Sequence, residues 1–140
     1  LDATMIETPI IPRVSETDGA GHINNTVIPI WFEGGRTEIF RILTPNLQFQ
    51  DWRVAMVSMQ VDYLAQTYFQ EAATVRTWIE KVGIKSFTLY EELCQGARLC
   101  AKGTATYVYF DYDAQEAKLV PDHVRSALMI HSRAAAEGAK

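Results

Sequence analysis

The sequence predicts an α+β protein, with a curled antiparallel sheet of about five strands around one long central helix and a further helix at the C-terminus. Three observations predict it. From Thr26 to Leu43 the apolar residues Val27, Ile30, Trp31, Ile39, Phe40 and Leu43 recur at helical spacing, so two broad faces require burial. Beyond Arg53, apolar and polar residues alternate in runs separated by short turn signals, the period of antiparallel strands. Gly34-Gly35 interrupts the helical stretch at a cost of about 1 kcal/mol per glycine relative to alanine, a loss best offset where the backbone is pressed against a sheet.

The first strand is expected from Met5 to Val14, where Pro9 and Pro12 lack amide hydrogens and confine it to an edge or a bulge. Pro29 is tolerated only in the first turn of a helix, so the central helix should begin near Asn25 or Thr26 with an Asn or Thr cap. The other strands are expected at Arg53 to Leu64, Ala73 to Val82, Lys85 to Cys94 and Arg98 to Phe110. In the first of these, Val57, Met59, Val61 and Tyr63 should share one face and Ser58, Gln60 and Asp62 the other. Val75 with Ile79, and Phe87 with Leu89 and Leu93, repeat that period. From Pro121 the residues Asp122 to Met129 start a second, peripheral helix, and the chain from Ala134 to Gly138 should fray.

With 140 residues, 48% of them hydrophobic, the chain can build one core, and a single domain spanning 1–140 is expected. A charged fraction of 21% and a net charge of −4 argue against disorder and against a nucleic-acid partner. Cys94 and Cys100 flank a turn at Gln95-Gly96-Ala97-Arg98 and read as two reduced thiols. No signal-peptide pattern and no apolar run approaching about 18 residues occurs, so a cytoplasmic protein with no membrane span is expected; Leu1 suggests that a natural start is missing.

Other site classes are absent from the sequence. His22, His123 and His131 have no metal-ligand spacing, and there is no Walker loop, dinucleotide fingerprint or Gly-x-Ser-x-Gly elbow. No metal and no redox cofactor is expected, and any hydrolytic chemistry falls to an acid.

That acid is Asp18, in the stretch Thr17-Asp18-Gly19-Ala20-Gly21-His22-Ile23-Asn24-Asn25. Its carboxylate, in a glycine-loosened loop before a helix, can attack a carbonyl carbon or deprotonate a water that does, while amides at the helix start hold the developing oxyanion. The plain alternative is an Asp that turns the chain or caps the helix. His22 can orient Asp18, hydrogen-bond a substrate, act as a second base, or staple the loop. Asn24 suits loop fixing through its amide. Glu33 and Arg36, three apart on the helix, can pair for a few tenths of a kcal/mol, and an enclosed Arg36 should reach a carbonyl or carboxylate that holds the loop in shape.

Asp18, Gly21, His22, Asn24, Asn25, Glu33 and Arg36 fall in register with a known signature that typically reads Asp-Thr-Asp, then Gly-His-Val-Asn-Asn, then Glu-x-x-Arg. The chain thereby resembles the 4-hydroxybenzoyl-CoA thioesterase-like family of hot-dog fold proteins, most clearly from Val14 to Phe110. The resemblance implies an acyl-CoA thioesterase that releases a free acid and coenzyme A. It implies Asp18 as nucleophile or general base and the Asn25 backbone amide as oxyanion donor, with His22, Asn24, Glu33 and Arg36 in supporting or substrate-binding positions. It also implies a homodimer or homotetramer with sites between subunits. Ile28-Pro29 departs from the family's usual aromatic-leucine pair. Trp31, Met56, Met59, Tyr63 and Trp78 are candidates for an acyl channel or ordinary core, and Arg76, Lys81, Lys85, Arg98 and Lys102 are candidates for the coenzyme A phosphates. The alternatives are a non-catalytic acyl-CoA or acyl-carrier-protein binding module, and a hot-dog dehydratase or isomerase using His22 as base.

Overall fold

A computed structural model describes residues 4–134; the expected fraying end beyond Ala134 lies outside the described residues. Strands β1 (Ile6–Ile10), β2 (Val54–Tyr63), β3 (Ala73–Val82), β4 (Ser86–Gln95) and β5 (Arg98–Asp111) form one antiparallel sheet in the order β1-β3-β4-β5-β2, and β6 (Glu116–Ala117) pairs with the end of β5. The helices are α1 (Ile28–Gly34), α2 (Thr37–Leu43) and α3 (Asp122–Met129).

The sheet follows from alternation. Ala73, Val75, Thr77 and Ile79 of β3, Phe87, Leu89, Leu93 and Gln95 of β4, and Ala101, Gly103, Ala105 and Tyr107 of β5 are buried in turn on its inner face. In β2 the alternation fails at one point. Met56 pairs with Tyr107 and Ser58 with Thr106, leaving Val57 as a bulged extra residue, 59% exposed. The bulge switches which residues face inward, so Met59 and Val61 pack on the core while Val57 does not join them. That corrects the expected face, because a period-two reading has no means of registering an inserted residue.

The central helix differs from expectation more strongly. One continuous helix from Thr26 to Leu43 is predicted, but α1 ends at Gly34 and α2 begins at Thr37. Gly35 is the reason. A β-carbon there would lie 2.6 Å from Val75 Cγ1 and 3.0 Å from Thr77 Oγ1, so the backbone is jammed against β3 and turns as it passes, whereas Gly34 faces open space. The start is also later than expected. Residues 25–27 form a turn whose cap is the side chain of Asn24, accepting from Thr26 N and Thr26 Oγ1 at 2.9 and 2.8 Å, and Pro29 occupies the first turn.

The core divides into two apolar clusters. Ile28, Trp31, Phe32, Val75, Leu93 and Ala101 fill the α1 end, while Ile39, Leu43, Ile79, Leu89, Ala105 and Leu128 fill the α2 and α3 end. Between them runs the row Thr77, Glu91 and Gly103, paired across β3, β4 and β5. Cys94 and Cys100 are buried free thiols. No helix among the described residues is long and apolar enough to cross a membrane.

Candidate active site

The loop before α1 is a small closed structure. Thr17 bridges Ile23, and Asp18 N donates to His22 O at 2.9 Å. The turn between them needs left-handed backbone at Gly19 (φ +89°) and Gly21 (φ +83°), which glycine supplies without steric cost. Two neighbours clamp this loop. On one side the buried Glu16 carboxylate accepts from Trp31 Nε1 at 2.9 Å and from Arg13 N at 2.8 Å, while Asn24 N donates to Glu16 O at 2.8 Å. Burial alone would raise the Glu16 carboxyl, but the hydrogen bonds from Trp31 and Arg13 hold it below its ordinary value. On the other side Ile23 N donates to Thr67 O at 2.8 Å and Phe69 N to Gly21 O at 2.9 Å.

Within this frame Asp18 presents an open valence. Its Oδ1 accepts from Ala20 N at 2.9 Å in an Asx turn, which fixes the carboxylate plane. Oδ2 lies 3.9 Å from His22 Nδ1, too long for a hydrogen bond but within ion-pairing range of a protonated ring; the two side chains are 40% and 35% exposed. The His22 ring packs edge-on against Tyr68, centroids 5.2 Å apart, and the Arg98 guanidinium lies 5.2 Å from the same Tyr68 ring. Among the described residues Asn25 N–H meets no acceptor, although the amides of Asn24 and Thr26 on either side are both engaged. Asn25 O accepts from Tyr63 Oη at 2.7 Å. A cavity of about 420 Å³ opens beside it, lined by Ile23, Asn25, Ile28, Tyr63 and Thr67 among others.

Glu33 and Arg36 do not join that loop, nor do they pair with each other. Arg36 is 1% exposed; its Nε donates to Glu91 Oε1 at 2.7 Å and its Nη1 to Tyr107 Oη at 2.9 Å. Thr77 Oγ1 completes the network, 2.8 Å from Glu91 Oε2 and 3.2 Å from Gly35 O. Burial pushes the Glu91 carboxyl up, against the pull of Arg36 and Thr77; the Arg36 guanidinium is driven further up by the Glu91 charge despite its own burial. A guanidinium stays protonated in proteins, and 2.7 Å is a charge-assisted length, so the pair is ionic at neutral pH. The expectation that Arg36 reaches a carboxylate holds, but the partner lies in the sheet and fixes the helix break, not the Asp18 loop. Glu33 instead faces solvent over a cleft of about 740 Å³ with Ile30, Phe40, Trp52, Met56 and Tyr112 on its walls.

The aromatic and thioether candidates also separate. Met56 lines the larger cleft and Tyr63 the smaller cavity, Trp31 is a buried donor to Glu16, Met59 packs in the core, and Trp78 lies against Tyr90. Glu16, Tyr68, Glu91 and Gln95 escaped the sequence reading. For two of them a signal existed: Glu91 and Gln95 are polar residues in phase with Phe87, Leu89 and Leu93 on a buried face.

The comparisons agree with this architecture. The model of the thioesterase-like superfamily matches residues 12–128. The structure of a "predicted thioesterase" from Bacillus stearothermophilus is 49% identical, with a TM-score of 0.89 over 91% of this chain and 96% of that one. The Bacillus subtilis protein named "Putative acyl-CoA thioesterase YneP" is 26% identical over 118 residues, 79% of this chain and 86% of that one. A Thermus thermophilus thioesterase, solved in complex with coenzyme A and Zn, shares the fold at 20% identity, with a TM-score of 0.81 over 98% of this chain and 96% of its own. The curled sheet, the helix laid against it and a family match across most of its length lead to one conclusion: the chain belongs to the thioesterase-like superfamily of hot-dog thioester hydrolases.

Proposed function

We propose that this chain hydrolyses acyl-CoA thioesters, with Asp18 as nucleophile or general base and the Asn25 amide as oxyanion donor. One observation carries the reading: an exposed carboxylate oxygen without a donor and a backbone N–H without an acceptor occupy the two ends of one clamped loop. An uncommitted acid and an uncommitted amide are what attack at a carbonyl requires.

Either route balances. As nucleophile, Asp18 bonds to the thioester carbon and the C–S bond breaks to release the coenzyme A thiolate; water then cleaves the mixed anhydride, giving the free acid and the Asp18 carboxylate, and the proton it releases converts the thiolate to the thiol. As general base, Asp18 takes a proton from water as its oxygen bonds to carbon, and that proton returns to the departing sulfur. In both, negative charge gathers on the carbonyl oxygen, where the Asn25 N–H can meet it. One such donor contributes about 3 kcal/mol elsewhere. His22 and Asn24 are supporting residues; Glu33 lies at the larger cleft and Arg36 keeps the helix break in place.

Acyl-CoA as substrate is supported by the thioesterase relatives and by the coenzyme A complex of the Thermus thermophilus protein. Thiol release from aliphatic and aromatic acyl-CoA esters, compared between the wild type and Asp18→Asn, tests the reading. A binding module would release no thiol, a dehydratase or isomerase would leave the thioester intact, and an Asp18→Asn protein as active as the wild type would sink the assigned role.

A homodimer across β2 completes the proposal. β2 is an edge strand exposing Met56, Val57 and Tyr63, with Leu64 just beyond its end, at 42–59%. Antiparallel pairing of two copies about a two-fold axis sets the Val54 end of one strand beside the Tyr63 end of the other. The larger cleft, lined by Val54 and Met56, would then meet the partner's Asn25 cavity, lined by Tyr63 and Leu64. Light scattering after size exclusion should give twice the chain mass, or four times for paired dimers; a monomer alone would contradict it.

A further inference from the structure

Gln95 ends β4 on the inner face, 1% exposed, in phase with Phe87, Leu89 and Leu93. An amide in such a place is unfavourable unless its hydrogen bonds are met. All are met, and mostly by one loop. Gln95 Oε1 accepts from Tyr68 N at 2.9 Å and from Arg98 Nη2 at 2.8 Å; Nε2 donates to Tyr68 O at 2.7 Å and Glu71 O at 3.0 Å. Two donors and two acceptor positions exhaust a primary amide. One side chain therefore holds both backbone polar groups of Tyr68, as a neighbouring strand would.

Tyr68 in turn sets His22. Residues on either side of Tyr68 bond to those on either side of His22, through Ile23 N to Thr67 O at 2.8 Å and Phe69 N to Gly21 O at 2.9 Å. The two rings meet edge-on at 5.2 Å, and His22 Nδ1 lies 3.9 Å from Asp18 Oδ2. We infer that Gln95 is a positioning residue for the His22–Asp18 loop, acting through Tyr68; its catalytic consequence rests on the reading of Asp18 as the attacking or basic group. A leucine in this place could meet none of the Tyr68 and Glu71 backbone groups that the glutamine amide pairs.

Gln95→Met keeps an unbranched chain of similar length and removes the amide's hydrogen bonds, including a long one from the Cys100 thiol at 4.0 Å. With hexanoyl-CoA and benzoyl-CoA as probes, it should lower kcat about ten- to a hundredfold with KM within about twofold, since displacing a reacting group by an ångström is enough for such a loss. On a His22→Ala background the same substitution should change kcat by less than about twofold, because coupled residues are not additive. In the full-length protein with labelled histidine, the His22 ring resonances should move while those of His123 and His131 stay. Equal losses in both backgrounds, or an unmoved His22 resonance, would overturn the inference. If Gln95→Met fails to fold, Tyr68→Leu, which keeps the backbone clamp and removes the ring contact, should reproduce the His22 shift; no shift there overturns it as well. The resonance needs no turnover, so an active Asp18→Asn protein with a displaced His22 signal would refute the catalytic reading and leave the positioning role in place.

Discussion

The Asp18 loop and the Arg36 helix break belong to one stretch of chain and carry charges of opposite fate. Arg36 is buried, with Glu91 and Tyr107 as partners, at the seam between the two apolar clusters. Asp18 is exposed, and one of its oxygens is engaged only by the Ala20 amide while the other is open. A buried charge must be matched because each unmatched one costs several kcal/mol, so the Arg36 charge is spent on Glu91 inside the fold and is sealed from a ligand. An exposed charge on a clamped loop keeps its valence at small cost. Residues of one motif can thus divide between building the frame and doing the chemistry, and burial separates them.

The contrast can be broken first at Asp18. Asp18→Asn should reduce thiol release by about 10³-fold or more while the urea midpoint stays within about 0.5 kcal/mol of wild type, because nothing buried is disturbed. A variant that loses stability instead would make Asp18 part of the frame. Arg36→Leu should do the reverse, costing about 3–5 kcal/mol of stability by leaving Glu91 buried and unpaired; adding Glu91→Leu should restore part of it. Equilibrium urea unfolding measures both, and an unchanged midpoint for the single variant would refute the buried pair.

Gly35→Ala is next in size. A methyl 2.6 Å from Val75 Cγ1 forces β3 and the helix apart, at about 1–3 kcal/mol, whereas Gly34→Ala should be neutral or stabilising by up to about 1 kcal/mol. Thermal melts that fail to rank the two this way would place the helix break elsewhere. The smallest effect is the acid response of Glu16. Its folded carboxyl titrates below the unfolded one, so its contribution is complete above the ordinary carboxylate value near 4.3 and disappears as pH falls through the lowered folded value. Stability of Glu16→Gln against pH should therefore fall less steeply than wild type below about pH 4.5; parallel curves would mean that Trp31 and Arg13 do not stabilise the charge.

Much of this architecture was legible in the residues. Ala73–Val82 falls where alternation puts it, α3 starts at Asp122 as the Pro121 signal implies, and the other strands agree within a few residues. The Asp18 loop was legible in outline too, since its glycines announce a loosened turn before a helix, and Gly19 and Gly21 do take left-handed backbone. The breaks were not. A helical pattern continues through Gly35 in sequence because periodicity records which residues want burial, not what they will press against. The same blindness hid the bulge at Val57 and the partners of Arg36, Glu91 and Gln95, residues up to 71 positions apart in the chain.

Most strand positions, the start of α3 and the turn that offers an acid before a helix follow from the sequence alone, because alternation, a proline and paired glycines act within a few residues. Only the tertiary structure decided which charged residues are sealed and which remain open, because burial and hydrogen-bond partners are set by segments that meet when the sheet curls around α1 and α2.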